Sequence, residues 1–133
     1  MPEPNIPQII IPDRNIELAK FVQVHIDVRG SRLPFLKWEP GNLFRHADLL
    51  EGLLFQTACK YENFSSSPKN IIAKPKGENY ELCGAGKFRF KDGIFEFFGF
   101  SVDYRIKTNE KHLVELQRLE PRFNYWINPD RLG

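Results

Sequence analysis

The sequence predicts an α/β protein of the α+β type, a single domain in which two helices pack on a mixed, mainly antiparallel sheet of about five to six strands. Three observations lead to this prediction. The chain has 133 residues and 41% of them are hydrophobic, which suits one domain with a sizeable core. Several segments alternate apolar and polar residues, as half-buried strands do, and two others repeat apolar residues at helical spacing. In chain order these segments run β, α, β, β, α, β.

The chain is expected to begin with an extended arm over residues 1–15, followed by the folded domain over residues 16–133. Four prolines lie in the arm: Pro2, Pro4, Pro7 and Pro12. We expect the arm to be poorly ordered, apart from the apolar residues 9–11, which can pack on the domain.

The first half of the domain combines a strand and a helix. Residues 21–28 alternate Val22, Val24 and Ile26 with polar residues, which predicts a strand. Residues 29–44 are predicted to be mostly loop, with room for a short strand at 34–38. Residues 45–60 are predicted to form a helix, capped by Asn42 or a neighbouring residue. Its apolar stripe consists of Leu49, Leu50, Leu53, Leu54 and Ala58.

The second half is predicted to contain a hairpin, a helix and a last strand. Residues 61–79 are expected to be a linker with a short strand at 71–73. Strands at 80–90 and 93–106 are expected to join at the turn Lys91-Asp92-Gly93. Gly84-Ala85-Gly86 interrupts the first of them, as expected for a β-bulge or a close approach of the backbone. Thr108 or Asn109 is predicted to cap a helix that Pro121 ends, before a strand at 123–128. The buried side of that helix is predicted to be Leu113, Val114, Leu116 and Leu119.

Composition excludes several classes of protein. Nineteen Lys+Arg against seventeen Asp+Glu leave a net charge of +2, which gives no reason to expect nucleic acid or a membrane surface as a partner. Cys59 and Cys83 cannot build a disulfide scaffold and indicate free thiols of a reducing, cytoplasmic compartment. The cysteines and the three histidines offer no zinc spacing. No apolar run is long enough to span a membrane, and the proline-rich start is unlike a signal peptide.

His46 is the most informative candidate for chemistry because it lies in the first turn of the predicted helix. Backbone N–H groups there are unpaired and attract anions, and the helix dipole disfavours the imidazolium form. A neutral imidazole beside an anion site could act as a base near pH 7. The alternative is a surface histidine that happens to follow a loop.

The other candidate residues and motifs are weaker signals when each is taken alone. Lys20 could supply a cation or be a solvated strand end. Ser101 and Asp103 could form a binding wall near Gly99 or the exposed side of a sheet. Gly84-Ala85-Gly86-Lys87 could cradle a phosphate through its amides, although a structural bulge is the commoner cause of such a run. The basic and aromatic residues of 87–90 and 95–100 could stack on single-stranded RNA, but an aromatic core with solvated cations is the simpler interpretation.

Taken together, these segments resemble the janus/ocnus family, which includes a small cytosolic protein-histidine phosphatase. The resemblance runs in order over residues 18–128. It rests on seven segments: Ala19-Lys20-Phe21-Val22, Lys37-Trp38, His46-Ala47-Asp48, Cys83-Gly84-Ala85-Gly86-Lys87, Gly99-Phe100-Ser101-Val102-Asp103-Tyr104, Asn109-Glu110-Lys111 and the closing Tyr125-Trp126. The set is moderately specific because it is collinear, and no single segment decides it.

The resemblance implies hydrolysis of P–N bonds, chiefly of phosphohistidine, without a metal or other cofactor. His46 matches the catalytic residue, as general base or as nucleophile. The residues implied to hold substrate and phosphate are Lys20, Ala47, Lys87, Ser101, Val102 and Asp103. The substrate would be a phosphohistidine-containing protein or a small phosphoramidate, and the protein would act as a cytoplasmic monomer with no nucleic-acid or membrane partner.

Three departures from the family pattern leave an alternative open. Asp103 replaces a small neutral residue and brings negative charge towards the phosphate, unless its side chain points away. Lys87 replaces an arginine and so loses a bidentate fork. The family arginine upstream of Lys37-Trp38 has no aligned counterpart, although Arg32 or Arg45 could substitute for it. The alternative is therefore a catalytically weak, phospho-ligand-binding regulatory relative of the same fold.

Overall fold

The computed structural model describes residues 6–67 and 70–131. Within these residues the chain forms a five-stranded sheet, two small two-stranded sheets and two helices. The elements are β1 (Ile16–Val28), β2 (Ser31–Pro40), α1 (His46–Gln56), β3 (Asn63–Ser67), β4 (Asn70–Ala73), β5 (Tyr80–Lys91), β6 (Ile94–Phe98), β7 (Phe100–Ser101), β8 (Ile106–Lys107), α2 (Glu110–Leu119) and β9 (Asn124–Ile127).

The main sheet has the order β2-β1-β5-β6-β9. Its neighbouring strands are antiparallel except for β6 and β9, which are parallel. Strands β3 and β4 pair with each other, as do β7 and β8. The predicted fold class, an α+β domain with a mixed, mainly antiparallel sheet and two helices, is confirmed.

The two helices cover opposite faces of this sheet. The leucines of α1 pack with Val22, Val24 and Ile26 of β1. Leucines of α2 pack with Ala19 and Phe21 of the same strand, and successive strand residues point to opposite faces. The α2 side holds Phe88 and Phe90 of β5 and Phe95 and Phe97 of β6, and its fully buried rings include Phe88, Phe95, Phe97 and Phe123. The aromatic-core interpretation of these rings is therefore right.

Two tight turns of the main sheet are built on left-handed residues. Arg29 and Gly30 both have positive φ between β1 and β2, and Asp92 and Gly93 do so between β5 and β6. Two consecutive positive φ angles are typical of the type I′ turn, whose twist matches that of the flanking strands. The predicted turn at Lys91-Asp92-Gly93 is confirmed.

The prediction of loop over residues 29–44 was wrong for most of that segment. β2 pairs with β1 from Ser31 to Pro40. Pro34 and Pro40 suggested a loop, but β2 is at the edge of the sheet, where a missing N–H costs no ladder hydrogen bond. β1 is also longer than predicted and begins at Ile16.

The prediction of one continuous strand over 93–106 was also wrong. Gly99 has φ 74° and ends β6 at Phe98. The chain then turns between Ser101 and Arg105, whose N–H donates to the Ser101 carbonyl at 2.8 Å. Residues 100, 102 and 104 therefore do not continue the face of Phe98. This turn decides the shape of the candidate site.

Smaller corrections concern the helices and the predicted linker. α1 ends at Gln56, and Ala58 lies beyond it with φ 55° and an exposed side chain. Within residues 61–79 the predicted short strand at 71–73 is present as β4, and the segment expected to be linker also contains β3, which pairs with it antiparallel. Asn109 caps α2, as predicted, by accepting the His112 N–H at 3.1 Å. Of the predicted buried side of α2, Val114 and Leu119 are exposed.

The arm predicted over residues 1–15 lies partly outside the described residues, which begin at residue 6. Its described part lies against β2. The Leu36 N–H donates to the Gln8 carbonyl at 2.8 Å, and the Trp38 indole N–H donates to the Ile10 carbonyl at 2.7 Å. Ile9 is buried in the core on the α2 side.

Candidate functional site

The first residue of α1 lies over β5, at the glycine that interrupts that strand. The ring Nε2 of His46 is 2.8 Å from the carbonyl oxygen of Gly86. A Cβ on residue 86 would lie 2.8 Å from the Phe98 carbonyl oxygen, so the packing around β5 and the end of β6 requires glycine. The pairing of β1 with β5 also shifts register between Gln23 and Val24, opposite Gly84. Both predicted reasons for the glycine run, a bulge and a close approach, are therefore present.

The hydrogen bond to Gly86 determines which ring nitrogen of His46 is basic. A carbonyl oxygen only accepts, so Nε2 carries the hydrogen and Nδ1 of the neutral ring keeps its lone pair. Burial lowers the pKa of His46 below its usual range, and the nearby Lys20 and Lys87 lower it further. The bond to Gly86 and the charge of Asp103 oppose this shift. His46 is therefore neutral near pH 7, with Nδ1 available as a base.

His46 borders a cavity of about 370 Å³. Lys20 and Lys87 are direct cross-strand partners on β1 and β5, so both ammonium groups lie beside the same part of the sheet. The lining residues are Lys20, Arg45, His46, Lys87, Phe100, Val102 and Asp103. Three cations and one carboxylate leave the lining positively charged while His46 is neutral, which favours an anionic ligand.

Asp103 turns its side chain towards this cavity. Its Oδ2 is 3.4 Å from both Nε and Nη2 of Arg45, and only 14% of the Asp103 side chain is exposed. The carboxylate thus lies at the cavity of His46, where Arg45 offsets its charge. Of the two arrangements considered for Asp103, the structure has the one in which the side chain lines the site.

Five of the seven predicted site residues line the cavity, and Ala47 and Ser101 do not. Ser101 is fully buried, and its Oγ accepts the Tyr104 N–H at 3.2 Å. It therefore shapes the turn that carries Val102 and Asp103. Ala47 is buried in the first turn of α1, where backbone N–H groups have no partner inside the helix.

Sequence reasoning did not place Phe100 in the site and left Arg45 as one of two substitutes for the family arginine. Arg45 is the N-cap of α1, and its N–H donates to the Asp48 carboxylate at 2.8 Å. Arg32, the other substitute, lies at the β1–β2 turn, where it pairs with Asp27 at 2.9 Å. The local signal for Phe100 is the glycine before it. The positive φ of Gly99 ends the alternation of strand faces, so that Phe100 lines the cavity and Ser101 does not.

No group of three or more His, Cys, Asp or Glu side chains within residues 6–67 and 70–131 is placed to hold a metal ion. The helices in that part of the chain are too short or too polar to cross a membrane. Neither a scan against protein-family models nor a search of curated proteins found a match to the chain.

Proposed function

We propose that this protein is a metal-independent phosphohistidine phosphatase that hydrolyses P–N bonds. The observation that carries the proposal is His46, whose ring bonds Gly86 through Nε2, leaving Nδ1 as the basic nitrogen, and which borders a cavity with three cationic side chains. The resemblance of the sequence to the janus/ocnus family supports the same reaction and the same histidine.

The cavity supplies what phosphoryl transfer requires, which is mainly position and charge. Lys20 and Lys87 would face the phosphoryl oxygens from the sheet, and Arg45 would face them from the start of α1. The N–H of Ala47 would add a donor from the first turn of the helix. Val102 and Asp103 would close the site from the turn after β7.

His46 can act in either of two ways. As a general base, Nδ1 removes a proton from water while the water oxygen bonds to phosphorus and the P–N bond breaks. The electron pair of that bond leaves with the substrate nitrogen, which takes up a proton from solvent. As a nucleophile, Nδ1 forms its own bond to phosphorus and expels the same nitrogen, and water then hydrolyses the phospho-enzyme.

A second candidate function is favoured by Asp103. A carboxylate in the lining repels phosphoryl oxygens and competes for Arg45. A protein with this lining could bind a phosphorylated ligand weakly, without turnover, and serve a regulatory role. This candidate differs from the first in one measurable property, hydrolysis.

Hydrolysis of a phosphohistidine peptide in the presence of a chelator separates the two functions. We expect turnover by the wild type and a loss of about 10²–10⁴-fold in His46→Ala, the typical contribution of a positioned general base. His25→Ala is the matched control, because His25 is a partly exposed histidine that pairs with Glu115 on the α2 face. It should retain wild-type turnover.

Three other outcomes would each contradict a part of the proposal. Binding of the peptide without turnover would replace the phosphatase by the regulatory alternative. Turnover that survives in His46→Ala would remove His46 as the catalytic residue. Turnover that the chelator abolishes would overturn the metal-independent reaction.

A further inference from the structure

A second, larger concavity adjoins the cavity of His46. It has a volume of about 1000 Å³ and lies between the β7–β8 hairpin and the start of α2. Phe100 borders both spaces, with 51% of its surface exposed. We call this second space the α2 groove. Because Phe100 lines both, the two spaces meet at this residue, and a ligand held at His46 that extends past Phe100 would enter the α2 groove.

The α2 groove combines apolar and basic side chains. Phe100 and Ile106 supply apolar surface, and the exposed side chains of Arg105, Lys107 and Lys111 supply positive charge. Glu110 is the acidic side chain in the lining, so cations outnumber carboxylates three to one. A binding partner with apolar and acidic groups complements such a surface.

Lys107 is the cation of the α2 groove that lies opposite the shared Phe100. It is the cross-strand partner of Phe100 in the β7–β8 pair. Cross-strand neighbours are about 5 Å apart, and an extended peptide advances about 3.3 Å per residue. If the phosphohistidine is bound beside Phe100, an acidic side chain one or two residues away would reach the Lys107 ammonium group.

We propose that the α2 groove binds the peptide that flanks the phosphohistidine and selects acidic residues in that peptide. This inference rests on the proposed function, because the phosphorylated side chain fixes which end of the groove the peptide enters. A free phosphoramidate would leave the groove empty. The groove therefore distinguishes a protein substrate from a small one.

The test uses two labelled peptides of equal length that carry a stable phosphohistidine mimic. One has aspartate and glutamate flanks, and the other has asparagine and glutamine at the same positions. Binding to the whole protein is measured by fluorescence anisotropy. We expect about fivefold to tenfold tighter binding of the acidic peptide at 0.15 M salt and a smaller difference at 0.5 M, because exposed charge pairs are modest and screened.

Two double variants test whether the preference for the acidic peptide depends on the lysines of the α2 groove. Lys107→Gln with Lys111→Gln should reduce the preference to about twofold or less, while hydrolysis of free phosphoramidate stays at the wild-type rate. Lys76→Gln with Lys91→Gln removes the same charge from exposed lysines outside both spaces and should keep the full preference.

Equal binding of both peptides by the wild type, or an unchanged preference in the Lys107/Lys111 variant, would overturn the proposal. So would tighter binding of a single-stranded oligonucleotide than of the acidic peptide at the same site, which would point to a nucleic-acid partner. A wild type that selects the acidic peptide but hydrolyses neither the phosphohistidine peptide nor free phosphoramidate would support the groove and overturn the phosphatase function. The two proposals can thus fail separately.

Discussion

His46 and His112 are both buried histidines, and they belong to the helices on opposite faces of the sheet. His46 is 5% exposed and His112 is 0% exposed. Burial lowers the pKa of both, that of His112 to about 3. The two rings differ in the partner of their Nδ1 atom. His112 Nδ1 accepts from the Gln23 amide at 3.1 Å while its Nε2 donates to the Val24 carbonyl at 3.3 Å. His46 bonds Gly86 through Nε2 and borders the cavity, and no side chain of the described residues is within hydrogen-bond distance of its Nδ1.

This difference shows that burial and a lowered pKa do not by themselves mark a catalytic histidine. Gln23 holds His112 as a structural element, since the same amide also donates to the Asn109 carbonyl at the start of α2. Its oxygen accepts the Asn109 N–H at 2.8 Å. His112 thus joins α2 to β1, whereas His46 retains a lone pair for chemistry.

Truncating the two histidines should separate stability from activity. His112→Ala removes the buried partner of one Gln23 N–H and a buried donor to the Val24 carbonyl, and it leaves a cavity, so we expect a loss of about 3 kcal/mol in the free energy of unfolding. His46→Ala leaves the Gly86 carbonyl beside a cavity that water can enter, so we expect a loss of about 1 kcal/mol or less. Urea unfolding of both variants measures the difference. Equal losses would show that His46 is also a structural residue.

Acid should also destabilise the protein through His112, by less than the His112→Ala substitution does. The pKa of His112 is about 3 in the folded protein, below the ordinary value of 6.5. The unfolded chain therefore binds the proton first, and stability falls as the pH drops from about 6.5 towards 3. Between pH 7 and pH 5 this histidine should cost about 2 kcal/mol.

Urea unfolding of the wild type and of His112→Ala at the two pH values isolates this effect from that of the carboxylates. The difference in stability between them should shrink by about 2 kcal/mol at pH 5. A difference that stays constant with pH would mean that His112 protonates equally in the folded and unfolded chain.

The sequence predicted those parts of the fold in which local pattern and tertiary position agree. β1, both helices and the turn at Asp92 follow from alternation, helical spacing and turn chemistry. β2 was missed because Pro34 and Pro40 are compatible with a strand only at a sheet edge, and edge position depends on the whole topology. Residues 63–67 were missed because they lack the alternation of apolar residues that marks a strand.

The site was predictable where a residue lies on a regular element and less so where the backbone reverses. His46 was predicted from the start of a helix, Lys20 and Lys87 from the family resemblance of their strands, and all three line the cavity. Ser101 was misplaced because alternation was carried through Gly99, whose positive φ ends the strand. A glycine inside an alternation of apolar residues is therefore a sign that the strand can end there and that the alternation should not be extended past it.

Asp103 should influence two properties: the affinity of the cavity for anions and the pH below which His46 is protonated. Its carboxylate competes for Arg45 and raises the pKa of His46, against the larger effect of burial. Asp103→Asn keeps the size of the side chain and removes the charge. We expect inorganic phosphate to bind about threefold to tenfold more tightly, as removal of one partly screened like charge predicts. The acid limb of any turnover should move to lower pH.

Glu96→Gln is the matched control for this change. Glu96 pairs with Arg131 at 3.2 Å, and its side chain is 14% exposed, as that of Asp103 is, but it lies outside the cavity lining. It should leave phosphate binding, measured by calorimetry, unchanged. Weaker binding in Asp103→Asn would mean that the carboxylate chiefly positions Arg45, and the cavity around His46 would then owe its anion site to an intact ion pair rather than to surplus positive charge.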